Sequence, residues 1–160
     1  MSVYNIDEIF EIALKIEKDG AAFYRKAAEG SFDDRSKVML LKLAEMEDDH
    51  QRIFQDMREE FADGLHNEVY NPDDQVTLYL KAIASGKVFN FDDDPAKSLT
   101  GGESKEEFLM KAIQLEKDSI VFYLGIKGLV PEHLGGKKVD NIIKEEMKHV
   151  SLLSERLNQL

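Results

Sequence analysis

Apolar side chains recur at alternating three- and four-residue intervals through four long stretches of the chain, the period of one buried helical face. The first seam runs Val3, Ile6, Phe10, Ala13, Glu17, Gly20, Tyr24, Ala27 and predicts a helix from about Asn5 or Asp7 to Gly30. The second runs Leu40, Leu43, Glu47, His50, Phe54, Met57, Phe61, within a helix from about Arg35 to Phe61. The third, Leu109, Ala112, Glu116, Ser119, Tyr123, Ile126, belongs to a helix from about Ser104 to Gly128. The fourth, Val139, Ile142, Glu146, His149, Leu153, belongs to one from about Lys137 to Leu157. Each apolar line is interrupted by ionisable residues: a single Glu in the first and third seams, and a Glu-x-x-His in the second and fourth. One turn separates that Glu from its His, so both side chains point into the same layer.

The interruptions repeat. Glu17-Lys18-Asp19 runs on to Phe23-Tyr24, and Glu116-Lys117-Asp118 runs on to Phe122-Tyr123. The pairs 17/116, 24/123, 47/146 and 50/149 are each 99 residues apart, and within each half 30 residues separate one Glu from the next. The chain therefore reads as a duplicated helical hairpin. Gly30-Ser31-Phe32-Asp33-Asp34 closes the first hairpin with N-cap candidates. Val130-Pro131 and Gly135-Gly136 mark the turn of the second.

Between the hairpins lie residues 62–103, too many for a structureless loop in a compact domain. Asn71-Pro72 is a helix start, Val76, Leu80 and Ile83 give one apolar face, and Gly86 is a C-cap. Val88-Phe89-Asn90-Phe91 reads as extended and Asp92 to Gly102 as loop. The Asp92-Asp93-Asp94 run lacks the spacing of a calcium loop. A crossover of this length lets the third long helix run parallel to the second. The expected fold is all-α: a four-helix bundle with a long crossover containing a short helix, in one domain spanning residues 1–160.

Composition narrows the partners. Hydrophobic residues make up 42% and charged residues 33%, with only three prolines, as suits a helical, soluble chain. A net charge of −11 argues against nucleic acid, whose phosphates need a basic face, and favours the approach of cations. There are no cysteines, which excludes disulfides, thiolate zinc and iron–sulfur clusters from these residues. No apolar run approaches the roughly 20 residues of a membrane span, and the N-terminus lacks the pattern of a signal peptide, so a cytoplasmic location is expected. His66 and His133 lie in connections and read as surface residues. Glu45, Asp48, Asp49 and Glu145 flank the seams and read as solvated. Met39, Met46, Met57, Met110 and Met147 read as gap-filling core.

Four buried carboxylates would repel one another strongly, and the seams offer no recurring basic residues to pair them. Two divalent cations resolve this, since four carboxylates at about −4 meet two ions at +4. The candidate metal ligands are Glu17, Glu47, His50, Glu116, Glu146 and His149. Oxygen-rich sites with one imidazole each suit iron or manganese better than structural zinc. Two Fe ions are expected, with an Fe/Mn or Mn pair as alternatives. The usual division would make Glu47 and Glu146 bridging carboxylates, with Glu17 and His50, and Glu116 and His149, as terminal ligands; spacing alone leaves the His-to-Glu pairing open. Tyr24 and Tyr123 lie two turns beyond their Glu on the same face. They are candidates to hydrogen-bond the ligand carboxylates, with plain core aromatics as the alternative.

These elements resemble the ferritin-like diiron-carboxylate superfamily and, within it, the rubrerythrin branch. A single Glu-x-x-His is common by chance, but two, each 30 residues after the Glu of an EKD-x-x-x-FY element, are specific. The resemblance implies the same six ligands and an oxidoreductase activity: two Fe(II) oxidised by peroxide or O₂ and re-reduced by a donor. Two departures stand out. Rubrerythrins typically carry a cysteine-bound iron domain for electron delivery; without cysteines here, the donor is expected to be a separate protein. They also place an extra Glu one turn after the ligand of the third long helix, where this chain has Ser119 and Ile120, leaving a near-symmetric six-ligand site. A homodimer is the assembly the resemblance implies. Competing readings are a ferroxidase or iron-handling protein and a non-catalytic bundle stapled by metal.

Overall fold

The computed structural model describes residues 6–30, 33–62, 75–85, 90 and 92–160. Among the described residues five α-helices carry the fold: α1 (Ile6–Glu29), α2 (Asp34–Ala62), α3 (Gln75–Ala84), α4 (Lys105–Leu129) and α5 (Gly136–Asn158). No strand occurs among the described residues. The helix starts have identifiable chemistry. Asp33 accepts from the Ser36 backbone N–H at 3.0 Å ahead of α2. Ser104 and Glu107 cap one another at the start of α4, with Glu107 N–H on Ser104 Oγ at 3.1 Å and Ser104 N–H on Glu107 Oε2 at 2.8 Å. Gly135, at φ +109°, supplies the left-handed step that turns the chain into α5.

Side-chain pairs fix the directions of the helices. Arg58, late in α2, grips Asp7 at the start of α1 at 2.6 and 2.8 Å, so α1 and α2 are antiparallel. Phe23 stacks on Phe108 with ring centroids 5.3 Å apart, setting the late part of α1 against the start of α4. Lys138 meets Glu60 at 3.3 Å and Arg156 meets Ser36 at 3.0 Å, so α2 and α5 are antiparallel too. It follows that α4 runs parallel to α2 and that the crossover must return along the length of the bundle.

The expected seams face inward almost without exception. Every seam residue of α2, α4 and α5 is buried, as are Phe10, Ala13, Glu17, Tyr24 and Ala27 of α1. The apolar core comes in two blocks. One gathers Phe10, Phe54, Met57, Phe122, Tyr123 and Ile142; the other gathers Phe23, Tyr24, Leu40, Leu43, Phe108 and Leu153. The ionisable interruptions form the layer between them.

Within the crossover, α3 packs on the outside of α4. Leu80 and Ile83 of α3 are buried, and the Tyr79 hydroxyl donates to the Val121 carbonyl at 2.6 Å. Contact is close because α4 has Gly125 there: a Cβ on that residue would lie 2.4 Å from Leu80 Cδ2. Several expectations need correction. The stretch from Asp92 to Gly102 is not all loop, because Asp94 caps a 3-10 turn at Pro95–Ser98, accepting from Ala96 N–H at 2.9 Å. A second 3-10 turn, Glu132–Leu134, occupies the later hairpin connection. Met57 is core, but Met110 and Met147 are half exposed, since each falls on an outward face of its helix. The expected helix start at Asn71-Pro72, the Gly86 cap, Val3, His66 and most of Val88 to Phe91 lie outside the described residues.

Candidate metal centre

Glu17, Glu47, His50, Glu116, Glu146 and His149 converge at mid-bundle, none more than 4% exposed. α1 and α4 each bring one Glu, and α2 and α5 each bring a Glu and a His one turn apart. Two groups of donor atoms form, each spanning no more than 4.8 Å: Glu17, Glu47, His50 and Glu146, and Glu47, Glu116, Glu146 and His149. The groups share Glu47 and Glu146. His50 Nδ1 lies 3.1 Å from Glu146 Oε1 and 3.4 Å from Glu17 Oε2. His149 Nδ1 lies 2.9 Å from Glu146 Oε2, 3.3 Å from Glu47 Oε1 and 3.5 Å from Glu116 Oε1.

The tyrosines reach across the repeat. Tyr24 of α1 donates its hydroxyl proton to Glu116 of α4, and Tyr123 of α4 donates to Glu17 of α1. Both rings are buried, so each hydroxyl fixes a carboxylate of the opposite helix. Burial first, then Glu116 and Glu47, hold the Tyr24 phenol protonated well above its usual range; burial, Glu17 and Glu146 do the same for Tyr123.

The other ionisable groups show the same crowding. Burial and the Glu47 and Glu146 carboxylates push Glu17 well up, and burial with Glu116 raises Glu146. Burial alone would lower His50, but its bonds to Glu146 and Glu17 raise it to about 12. His149 is likewise lowered by burial yet raised to about 12 by Glu116, Glu146 and Glu47. Protons gather where negative charge has been concentrated.

The geometry fits cations better than protons. Among the described residues, Glu17 Oε2, Glu47 Oε1, Glu146 Oε2 and His149 Nδ1 are buried without a hydrogen-bond partner. Oxygens and nitrogens pointed at a common space, close but out of line for hydrogen bonds, are what ligands look like around an ion. The donor set is all carboxylate and imidazole, suited to iron or manganese.

One contact was not visible in the seams. Glu145, expected to face solvent, accepts from His50 Nε2 at 2.7 Å although its side chain is 41% exposed. Asp48 and Asp49 do face outward, pairing with Arg25 and Arg52. His133 is exposed. Ser119 turns its hydroxyl onto the Leu115 carbonyl of its own helix at 3.0 Å and stays apart from the cluster. With Gly20 opposite, it leaves room for a cavity of about 100 Å³ between α1 and α4. Tyr24, Glu47 and Glu116 line its inner part, and Asp19, Asp93 and Asp118 are among its other lining residues.

A helical bundle with two overlapping Glu/His groups in its core defines the class of ferritin-like proteins with a candidate dinuclear carboxylate site. The chain belongs to the rubrerythrin family, whose model matches residues 4–87. It is also similar to a solved structure from Thermotoga maritima described as a candidate ferritin-like diiron-carboxylate protein. That likeness covers 99% of this chain and 97% of the other, at 26% identity and a TM-score of 0.72. Comparison with curated proteins gives no match.

Proposed function

We propose that this protein is a dinuclear metal oxidoreductase that reduces hydrogen peroxide or O₂ with electrons from a separate donor protein. The observation that carries the reading is the pair of four-donor groups sharing Glu47 and Glu146 beneath a small cavity. Glu17 and His50 would complete one metal position, Glu116 and His149 the other, with Glu47 and Glu146 bridging. Two iron ions are the proposed occupants. When bound, a redox-active pair supplies the two electrons that cleave an O–O bond.

The protein's own part is positional and protonic. Tyr24 and Tyr123 fix Glu116 and Glu17 and hold a proton at each phenolic oxygen. Peroxide reduction takes two electrons and two protons and releases two waters, so protons held beside the centre are of direct use. The apolar blocks above and below exclude bulk water. Gly20 and Ser119 keep the ground over Glu47 and Glu116 open to a small ligand.

Anaerobic protein loaded with Fe(II) and mixed with H₂O₂ or O₂ in stopped flow tests this. Oxidation within the mixing experiment, faster with H₂O₂, is the expected result; inertness to both oxidants would overturn the reading. The acidic residues Asp19, Asp93 and Asp118 around the cavity favour a second reading, in which Fe(II) itself enters and is oxidised as substrate. Turnover of excess Fe(II) into a retained ferric product would select it.

A further inference from the structure

The internal repeat predicts two equivalent metal positions, and the structure breaks that equivalence behind the two histidines. His50 and His149 correspond across the 99-residue repeat, as do Glu47 and Glu146. The residue preceding each Glu therefore corresponds too: Glu145 in the second half, Met46 in the first. Glu145 accepts from His50 Nε2 at 2.7 Å. A thioether at position 46 offers His149 at most a weak acceptor, and His149 Nε2 is buried with no hydrogen-bond partner among the described residues.

The consequence for each imidazole differs. An ionised carboxylate can only accept, so Glu145 holds a ring proton of His50 on Nε2, and Nδ1, which faces Glu17 and Glu146, is the nitrogen a cation would take in place of its proton. His149 has its Nδ1 among Glu47, Glu116 and Glu146 but no partner on the far side to fix tautomer or ring angle. A carboxylate behind a ligand His orients the ring and makes it a stronger donor, and losing such a partner weakens metal binding about 10- to 100-fold. Glu145 is free for this role: the adjacent Lys144 pairs instead with Asp140, at 2.7 Å.

We propose that Glu145 is a positioning residue that makes the two metal positions unequal, with the Glu17–His50 position filling first and the Glu116–His149 position second. The two steps should differ by about 10- to 100-fold in affinity. The inference rests on the two-metal reading above and adds the order of filling.

Anaerobic titration of the metal-free protein with Co(II), followed by absorbance and paramagnetic proton NMR, tests it. Two resolved steps are expected. At one equivalent a hyperfine-shifted, slowly exchanging imidazole N–H should mark His50. Glu145→Ala should remove that resonance and weaken the first step until the two merge. Glu145→Gln, whose carbonyl can still accept from Nε2–H, should restore the resonance and part of the affinity. Met46→Glu should strengthen the second step. Melts and circular dichroism of the metal-free variants separate misfolding from an effect on binding: Glu145→Ala should keep a cooperative melt at a modestly lower midpoint, since His50 Nε2–H loses its acceptor, and Glu145→Gln should melt close to the parent. Two equal steps in the parent chain, or an unchanged titration in Glu145→Ala, would overturn the inference while leaving the metal centre standing. Failure to bind Co(II) at all would overturn both.

Discussion

Glu17 occupies a helix position where its neighbours in the seam are Ala13 and Gly20, yet it has no exposed surface. A carboxylate so placed needs a partner of opposite charge, and that need made it readable: periodicity fixes which residues turn inward, and charge chemistry says what must meet them. That the same six side chains converge at mid-bundle was legible on those grounds. Glu145 was not. It sits about 100° around the helix from Glu146, and it reaches His50 because α2 packs against that flank of α5, a tertiary relation that no single-helix pattern contains. The pairing of His50 with Glu17 and of His149 with Glu116 was open for the same reason. At this scale the shared ligands predict unequal losses. Glu47→Ala should bind neither metal tightly, whereas Glu17→Ala should retain about one equivalent. Metal analysis after anaerobic loading and desalting distinguishes them, and retention of a full equivalent by Glu47→Ala would demote it to a terminal ligand.

Helices were legible where the seam was long. The four long helices fall within a few residues of their expected ends, and Ser104 with Glu107 marks the start of α4 in sequence as it does in space. The 3-10 turns were missed because three or four residues cannot display a period; Pro95–Ser98 depends on a local Asp94 cap. The seat of α3 on α4 was also hidden, since Gly125 reads in sequence as a weak helix residue rather than as a docking point. Gly125→Ala would add about 1 kcal/mol of helix propensity but force the Leu80 side chain aside, an overpacking effect of about 1–3 kcal/mol. Net destabilisation is expected, read as a lowered thermal midpoint. Leu80→Ala in the same background should relieve the clash, so the two changes should be less than additive.

For the molecule as a whole, the polar layer couples folding to protons and metal. His50 and His149 are raised to about 12, and Glu17 and Glu146 are raised as well. Each such group binds its proton more tightly folded than unfolded. Its contribution is therefore complete below the unfolded value, near 4.3 for Glu and 6.5 for His, and is lost as pH rises through the folded value. The metal-free protein should thus melt lower at pH 8.5 than at pH 5.5. Bound cations take the place of those protons, so apparent metal affinity should rise with pH, and the midpoint gap between loaded and metal-free protein should widen. Differential scanning calorimetry at the two pH values checks both signs; a metal-free midpoint that climbs with pH would contradict the buried cluster.

The gap left by Gly20 and Ser119 also acts as a sieve. At about 100 Å³ it is smaller than the ~150 Å³ void that accepts benzene. Diatomic gas and H₂O₂ fit such a space, and a branched alkyl group is expected to meet its walls. Tert-butyl hydroperoxide should therefore oxidise the reduced protein at least about tenfold more slowly than H₂O₂, a penalty of roughly 1.4 kcal/mol in the barrier. Ser119→Ala should leave that discrimination in place, whereas enlarging the gap by Ile16→Ala should erode it. A bulk limit of this kind would keep hydrocarbon chains from the carboxylate and imidazole layer, whatever their intrinsic reactivity.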